Sequence, residues 1–277
     1  MQEGAFALID CLGFKGIWNR PGITAEQVIS KLRLIEKTVQ EGIETKGGFL
    51  DFSETKLVFK ASLLSDSIAI SLTFGEDKKP LIAEPNKGYL VSLLCVLVVK
   101  ILALYIKEKP HLVMRGCISY GEFISDGNFI VGPAVDRAAE HMNIAEGAFV
   151  WLLPNVAALF EIYVENLMNA AVMGRLPHLQ RLAGRGEWGK IRDMHTHQIC
   201  QQYEMPLKGG GFLTCSVINP FYTITNEETA QNLFNAYLEA LEGERMDIWL
   251  KKQNTLRFLE FAKARNTDVI KSMNPFN

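Results

Sequence analysis

Short apolar runs that end in small or acidic residues alternate with longer stretches of helical periodicity along the first half of the chain. Ala5 to Asp10 (AFALID) is an apolar run closed by an acid, with Gly13 beyond it, and predicts a buried strand feeding a loop. Thr24 and Gln27 form a capping box ahead of Val28, Leu32, Ile35, Val39 and Ile43. Their spacing of three and four predicts an amphipathic helix from about residue 25 to 45, stopped by Gly47-Gly48. Leu57–Leu64 and Ile68–Phe74 are strand-like and are separated by Ser65-Asp66-Ser67, a tight-turn triplet that puts a second acid at a hairpin tip.

The next segment, Leu90 to Ile106, has only Ser92 and Lys100 polar among its 17 residues. It is at the short end of the bilayer-spanning range, carries a charge inside and runs into Lys107-Glu108-Lys109-Pro110. The expectation is therefore a helix over 89–107 buried in the protein core, with no membrane span. A strand follows from about His111 to Tyr120, then a connection at Asp126-Gly127-Asn128, a return strand over Phe129–Val131 and a helix opening at Gly132-Pro133. Phe149–Leu153 predicts another strand, and Asn155 caps a helix through Met168. Residues 171–211 show no clear period, and Lys208-Gly209-Gly210-Gly211 reads as a flexible connector. Phe212 to Asn219 reads as a late strand closed by Pro220. Thr225 and Glu228 then form a second capping box, with helix expected almost to Asn266.

Composition narrows the class. With 277 residues, 48% apolar and 22% charged, the chain is globular and long enough for one core plus an elaboration. A formal net charge of −2 supplies no broad positive field, so nucleic acid is not an expected partner. Five scattered cysteines and an N-terminus without a basic-then-apolar leader lead us to expect a reduced, cytoplasmic protein.

The candidate chemistry lies in Asp10 and Asp66, each at a strand end among small residues. Two such carboxylates at one sheet edge suit divalent cations and phosphoryl transfer, although acids at these positions also serve simply as turn formers. The loop Leu12-Gly13-Phe14-Lys15 adds backbone N–H groups where glycine permits close approach of phosphate oxygens. His195, His197 and Cys200 are soft ligands, but zinc would need a fourth ligand such as Cys215, and residues two apart do not face each other on a helix.

Four segments in order resemble class III nucleotidyl cyclases. Ile9-Asp10-Cys11-Leu12-Gly13-Phe14-Lys15 resembles their first-strand motif, and Leu64-Ser65-Asp66-Ser67 their hairpin motif. Arg115-Gly116-Cys117-Ile118-Ser119-Tyr120-Gly121 and Gly132-Pro133-Ala134-Val135-Asp136-Arg137-Ala138-Ala139-Glu140 are similar to the two motifs that follow. The resemblance covers residues 5–145. It implies an α+β, ferredoxin-like palm core over residues 1–220, closed by a strand near 212–219, with a helical extension over 221–277. It also implies two Mn²⁺ or Mg²⁺ ions on Asp10, Asp66 and the Cys11 carbonyl, a nucleoside triphosphate substrate, and a homodimer with the active site between subunits.

The chain departs from the family pattern at four positions. Ser62 stands where purine cyclases carry a base-reading lysine, with Lys60 on the same strand face, and Phe129 stands where they carry a base-reading acid. A hydroxyl and an aromatic suit a smaller base, which points toward the pyrimidine cyclases of bacterial anti-phage (Pycsar) signalling, UTP preferred and CTP close behind. Asp136 and Glu140 replace the transition-state Asn and Arg. Arg137 and Arg115 are the candidate replacements for the missing charge; for Arg137 an ion pair with Glu140 is the alternative. The competing readings are a cytidylate or purine nucleotide cyclase, or a catalytically inactive, nucleotide-binding relative.

Overall fold

The computed structural model describes residues 1–14, 17, 22–41, 57–75, 87–126, 129–172, 199–222, 224, 226–241 and 246–273. The chain runs β1 (Gln2–Leu12), α1 (Ala25–Glu41), β2 (Leu57–Leu64), β3 (Ser67–Phe74), α2 (Lys87–Lys107) and β4 (Val113–Asp126). It continues through β5 (Phe129–Val131), α3 (Pro133–His141), β6 (Val150–Leu152), α4 (Pro154–Val172), β7 (Cys200–Pro206) and β8 (Phe212–Ile218). Two further helices follow, α5 (Glu227–Ala240) and α6 (Met246–Met273).

The first six elements form an antiparallel βαββαβ unit with strand order β2-β3-β1-β4, the ferredoxin-like arrangement. β6 joins parallel to β4, and β8 and β7 extend the sheet beyond it. The fold is thus α+β, with β1 between the β2–β3 hairpin and β4, so that what sits on β1 is flanked on both sides.

The two faces of the sheet are covered differently. On one, Cys117 Sγ donates to the Ala138 carbonyl and Ser119 Oγ to that of Ala134, which seats α3 over β4. On the other, Ala5, Ala7, Ile9 and Cys11 alternate inward, and α2 supplies Leu94, Val98, Ile101 and Tyr105, all buried. Helix α2 is long and apolar enough to cross a membrane by length and composition. It is apolar on nearly all sides because it is packed on nearly all sides: it lies between the sheet and α4, where Tyr89 meets Tyr163 with ring centroids 5.9 Å apart.

α1 buries Val28 and Ile35 as its periodicity predicts, yet Lys31 is buried between them. Its ammonium donates to the Glu108 carbonyl and, at 2.7 Å, to that of Pro110, tying α1 to the α2–β4 turn. Burial lowers the Lys31 pKa to about 8 against the favourable pull of Glu108 and Cys11.

Several expectations are corrected. β4 extends to Asp126, past the anticipated end at Tyr120. Strand β7 falls in the stretch without a clear period, because buried Gln201 breaks the apolar alternation that marks a strand. Lys208-Gly209-Gly210-Gly211 is no loose connector but the β7–β8 hairpin turn: φ is 89°, 100° and 84° at the three glycines, and Leu207 N–H donates to Gly211 O at 3.1 Å. The C-terminal helical region is two helices. His195 and His197 lie outside the described residues. Cys200 and Cys215 project from opposite faces of the β7–β8 pair, since Tyr203 pairs with Cys215 and Cys200 with Ile218, so they do not share an ion.

Candidate active site

Strand register organises the α3-side face into cross-strand rows. Ser67, Asp10 and Arg115 form the first row, Ser62, Ala69, Leu8 and Cys117 the second, and Lys60, Ser71, Phe6 and Ser119 the third. Asp10 therefore has Ser67 on one side and Arg115 on the other. Ser67 Oγ donates to Asp10 Oδ1 at 2.9 Å, and Arg115 donates to Oδ2 through Nε at 3.3 Å and Nη2 at 3.1 Å. Asp66 is brought alongside by the Ser65 turn, with φ 60° at Ser65, and Cys11 N–H donates to the Asp66 carbonyl at 3.0 Å. The buried Tyr105 phenol on α2 has its pKa raised, first by burial and then by Cys11 and Asp66, so it lies behind the same strand end.

Gly13 takes φ 78°, a left-handed turn, as the chain leaves β1; Leu12 is the last β1 residue to pair, opposite Val113. Ile17 N–H then donates to the Phe14 carbonyl at 3.0 Å. Lys15 lies outside the described residues. Ser62 and Lys60 share the face as expected, Ser62 one row from Asp10. Lys60 Nζ crosses the sheet to donate to the Ser125 carbonyl at 2.8 Å, bracing the β4–β5 arm. Phe129, on that arm, is 78% exposed.

Arg137 does not pair with Glu140. Its Nη2 donates to the Tyr120 carbonyl at 2.8 Å and lies over Gly121, where any side chain would meet the guanidinium. Five residues of strand separate Tyr120 from Arg115, roughly 17 Å at 3.3–3.4 Å per residue. Asp10 and Arg137 thus stand at opposite ends of the face within one chain.

Two residues near Asp10 escaped the sequence reading. Ser67 looked like turn filler, although its place directly after Asp66 was a usable signal. Lys208 lies within electrostatic reach of Asp10 and Arg115. Its pKa is lowered by partial burial, then by Arg115 and Lys251, with Glu146 and Asp10 opposing. No property of the Lys-Gly-Gly-Gly tract foretells that approach.

The donors that would hold a cation are the Asp10 and Asp66 carboxylates and the Cys11 carbonyl. They are all oxygen, which fits a hard divalent ion such as Mg²⁺ or Mn²⁺ and not a soft one. Among the described residues no group of three or more His, Cys, Asp or Glu side chains is placed to hold a metal, so substrate oxygens or water would complete such a shell.

No protein-family model matches this chain, and no curated protein matches it. Among solved structures it is similar to the guanylyl cyclase Cya2, over 57% of this chain and 78% of that one, at 14% identity and a TM-score of 0.40. At that level of similarity the strand order above, not the neighbour, defines the fold.

Proposed function

We propose that this protein is a metal-dependent nucleotidyl cyclase. More particularly, it converts a pyrimidine nucleoside triphosphate, UTP before CTP, into the 3′,5′-cyclic nucleotide and pyrophosphate, as a second messenger in antiviral defence. The observation that supports this most is the meeting of Asp10 and Asp66 at adjacent strand ends, beside a glycine loop.

Divalent ions, when bound by Asp10, Asp66 and the Cys11 carbonyl, would neutralise the triphosphate and favour ionisation of the 3′-hydroxyl. The residues of the chain do the positioning. Ser67 and Arg115 orient the Asp10 carboxylate, and the Gly13 turn leaves room for phosphate oxygens against the backbone. Ser62, one row away, offers a hydroxyl able to donate to O4 of uracil or accept from N4 of cytosine. Arg137 is too far from Asp10 in its own chain, so its role in charge stabilisation requires a second copy, with Phe129 stacking on the base from the exposed arm.

The test is incubation with Mn²⁺ and each of the four triphosphates, with detection of pyrophosphate and cyclic product. Turnover of UTP or CTP that disappears in Asp66→Ala supports the reading. Nucleotide binding without turnover favours instead an inactive nucleotide-binding module, the alternative motivated by the acids Asp136 and Glu140 on α3.

A further inference from the structure

The turn that joins α2 to β4 is held from α1 and from α5 at once. Leu112 N–H donates to the Tyr105 carbonyl at 2.9 Å, which folds the turn back on the end of α2. Lys31 reaches it from α1 through the carbonyls of Glu108 and Pro110. Glu239, in the last turn of α5, reaches it through two side chains, with Lys109 Nζ 2.5 Å from Oε1 and His111 Nε2 3.4 Å from Oε2. Helix α5 is thereby fastened to the core beside the residues that open β4.

His111 makes a second contact that fixes its chemistry. Its side chain is only 12% exposed, and Nδ1 lies 2.6 Å from the Ile106 carbonyl. A carbonyl oxygen only accepts, so Nδ1 carries the hydrogen. A neutral imidazole has one N–H, and with that one donated to Ile106 the Nε2 lone pair faces the Glu239 carboxylate. An imidazolium has two N–H groups and meets both acceptors. The Ile106 carbonyl is also one of the last four of α2, where the helix end favours a cation.

We propose that His111 is a proton-operated latch between the core and the C-terminal helices. With the ring protonated it bridges the end of α2 and α5. When Nε2 gives its proton to solvent, the bond to Glu239 is lost and Lys109 alone holds that carboxylate. The charged groups facing the ring are Glu239 from α5 and Lys109 from its own turn, while the Lys31 ammonium of α1 is directed at the neighbouring carbonyls. Glu239 is held below the usual carboxylate range, first by its hydrogen bond with Lys109, so it stays charged while the ring titrates. The contact exists only with the protonated ring, so its contribution to stability is present in acid and is lost as pH rises. The latch is independent of the cyclase reading.

The test uses His111→Asn, which keeps a donor toward the Ile106 carbonyl and lacks the Nε2 contact. Urea midpoints of the full chain are compared at about pH 5.5 and about pH 8.5, on either side of the ordinary imidazole value, with Glu239 intact and in Glu239→Gln. The asparagine variant is expected to unfold at lower urea than wild type in acid, and that gap should fall by roughly half or more at the higher pH. In Glu239→Gln the gap should no longer change with pH. A gap of equal size at both pH values, or one that shrinks just as much in Glu239→Gln, overturns the proposal. Nitrogen-15 shifts of the His111 ring in the wild-type chain give a second readout that does not depend on a variant folding. Both nitrogens should carry hydrogen in acid, and the neutral ring should be the Nδ1–H tautomer; a neutral ring with its hydrogen on Nε2 overturns the latch.

Discussion

Arg115 grips Asp10 from the neighbouring strand, donating Nε and Nη2 to a single carboxylate oxygen, with the two side chains only 17% and 16% exposed. The pair is cross-strand and in register, so the backbone ladder delivers both partners before any side chain is ordered. The same contact, with that from Ser67, fixes the direction in which the Asp10 carboxylate points.

Removing one partner of this pair is therefore expected to cost more than the pair contributes. Arg115→Met should lower unfolding free energy by about 1–3 kcal/mol, because it strands the Asp10 charge. Asp10→Asn in the same background should recover part of that loss. Urea denaturation of the four proteins of the cycle measures the coupling, and additive losses would contradict it.

Gly121 lies under the Arg137 guanidinium at φ 151°, a conformation that disfavours a side chain. Gly121→Ala should destabilise the protein by about 1–2 kcal/mol through backbone strain and displacement of Arg137. Adding Arg137→Ala should relieve only the steric part, leaving a residual loss in thermal unfolding.

Lys31 predicts a pH dependence with a definite sign. Its pKa of about 8 in the folded protein lies below the ordinary value of 10.5, so between these values the unfolded chain binds more protons. Its contribution to stability rises through that window and is lost as pH falls through 8. The buried thiols of Cys117 and Cys215, pushed up to about 12 by burial, act oppositely above pH 9. Subtraction isolates the lysine: wild type should gain about 1–3 kcal/mol on Lys31→Met between pH 7.5 and 10.5, read by urea midpoints at each pH.

Thr255 accepts the buried Ala148 N–H across 107 residues of sequence. Thr255→Val keeps the shape and removes the acceptor, so a loss of about 1–3 kcal/mol is expected. Hydrogen exchange at Ala148 should accelerate, whereas Thr255→Ser should leave it protected.

Much of the central unit was legible because its signals are local. The apolar run ending at Asp10, the Ser65-Asp66-Ser67 turn and the α1 capping box each need only neighbouring residues, and the hydrogen bonds of Thr24 with Gln27 form as the box predicts. Strand β7 was not legible, since Cys200 and Gln201 are both buried, on opposite faces of the strand, and no alternation of apolar and polar residues marks it. The same limit applies to Lys31, which interrupts an apolar stripe and is explained only by carbonyls 77 and 79 residues away.

The sequence by itself determined where the acids fall relative to strand ends, because side-chain alternation and turn chemistry are properties of adjacent residues. Only the tertiary structure decided who stands beside them. Arg115 and Ser67 reach Asp10 through strand register, Lys208 arrives through a hairpin more than 190 residues downstream, and Arg137 is held at the far end of the same sheet face. Those neighbours depend on long-range pairing, whose energy is shared across the whole sheet and leaves no period in the chain.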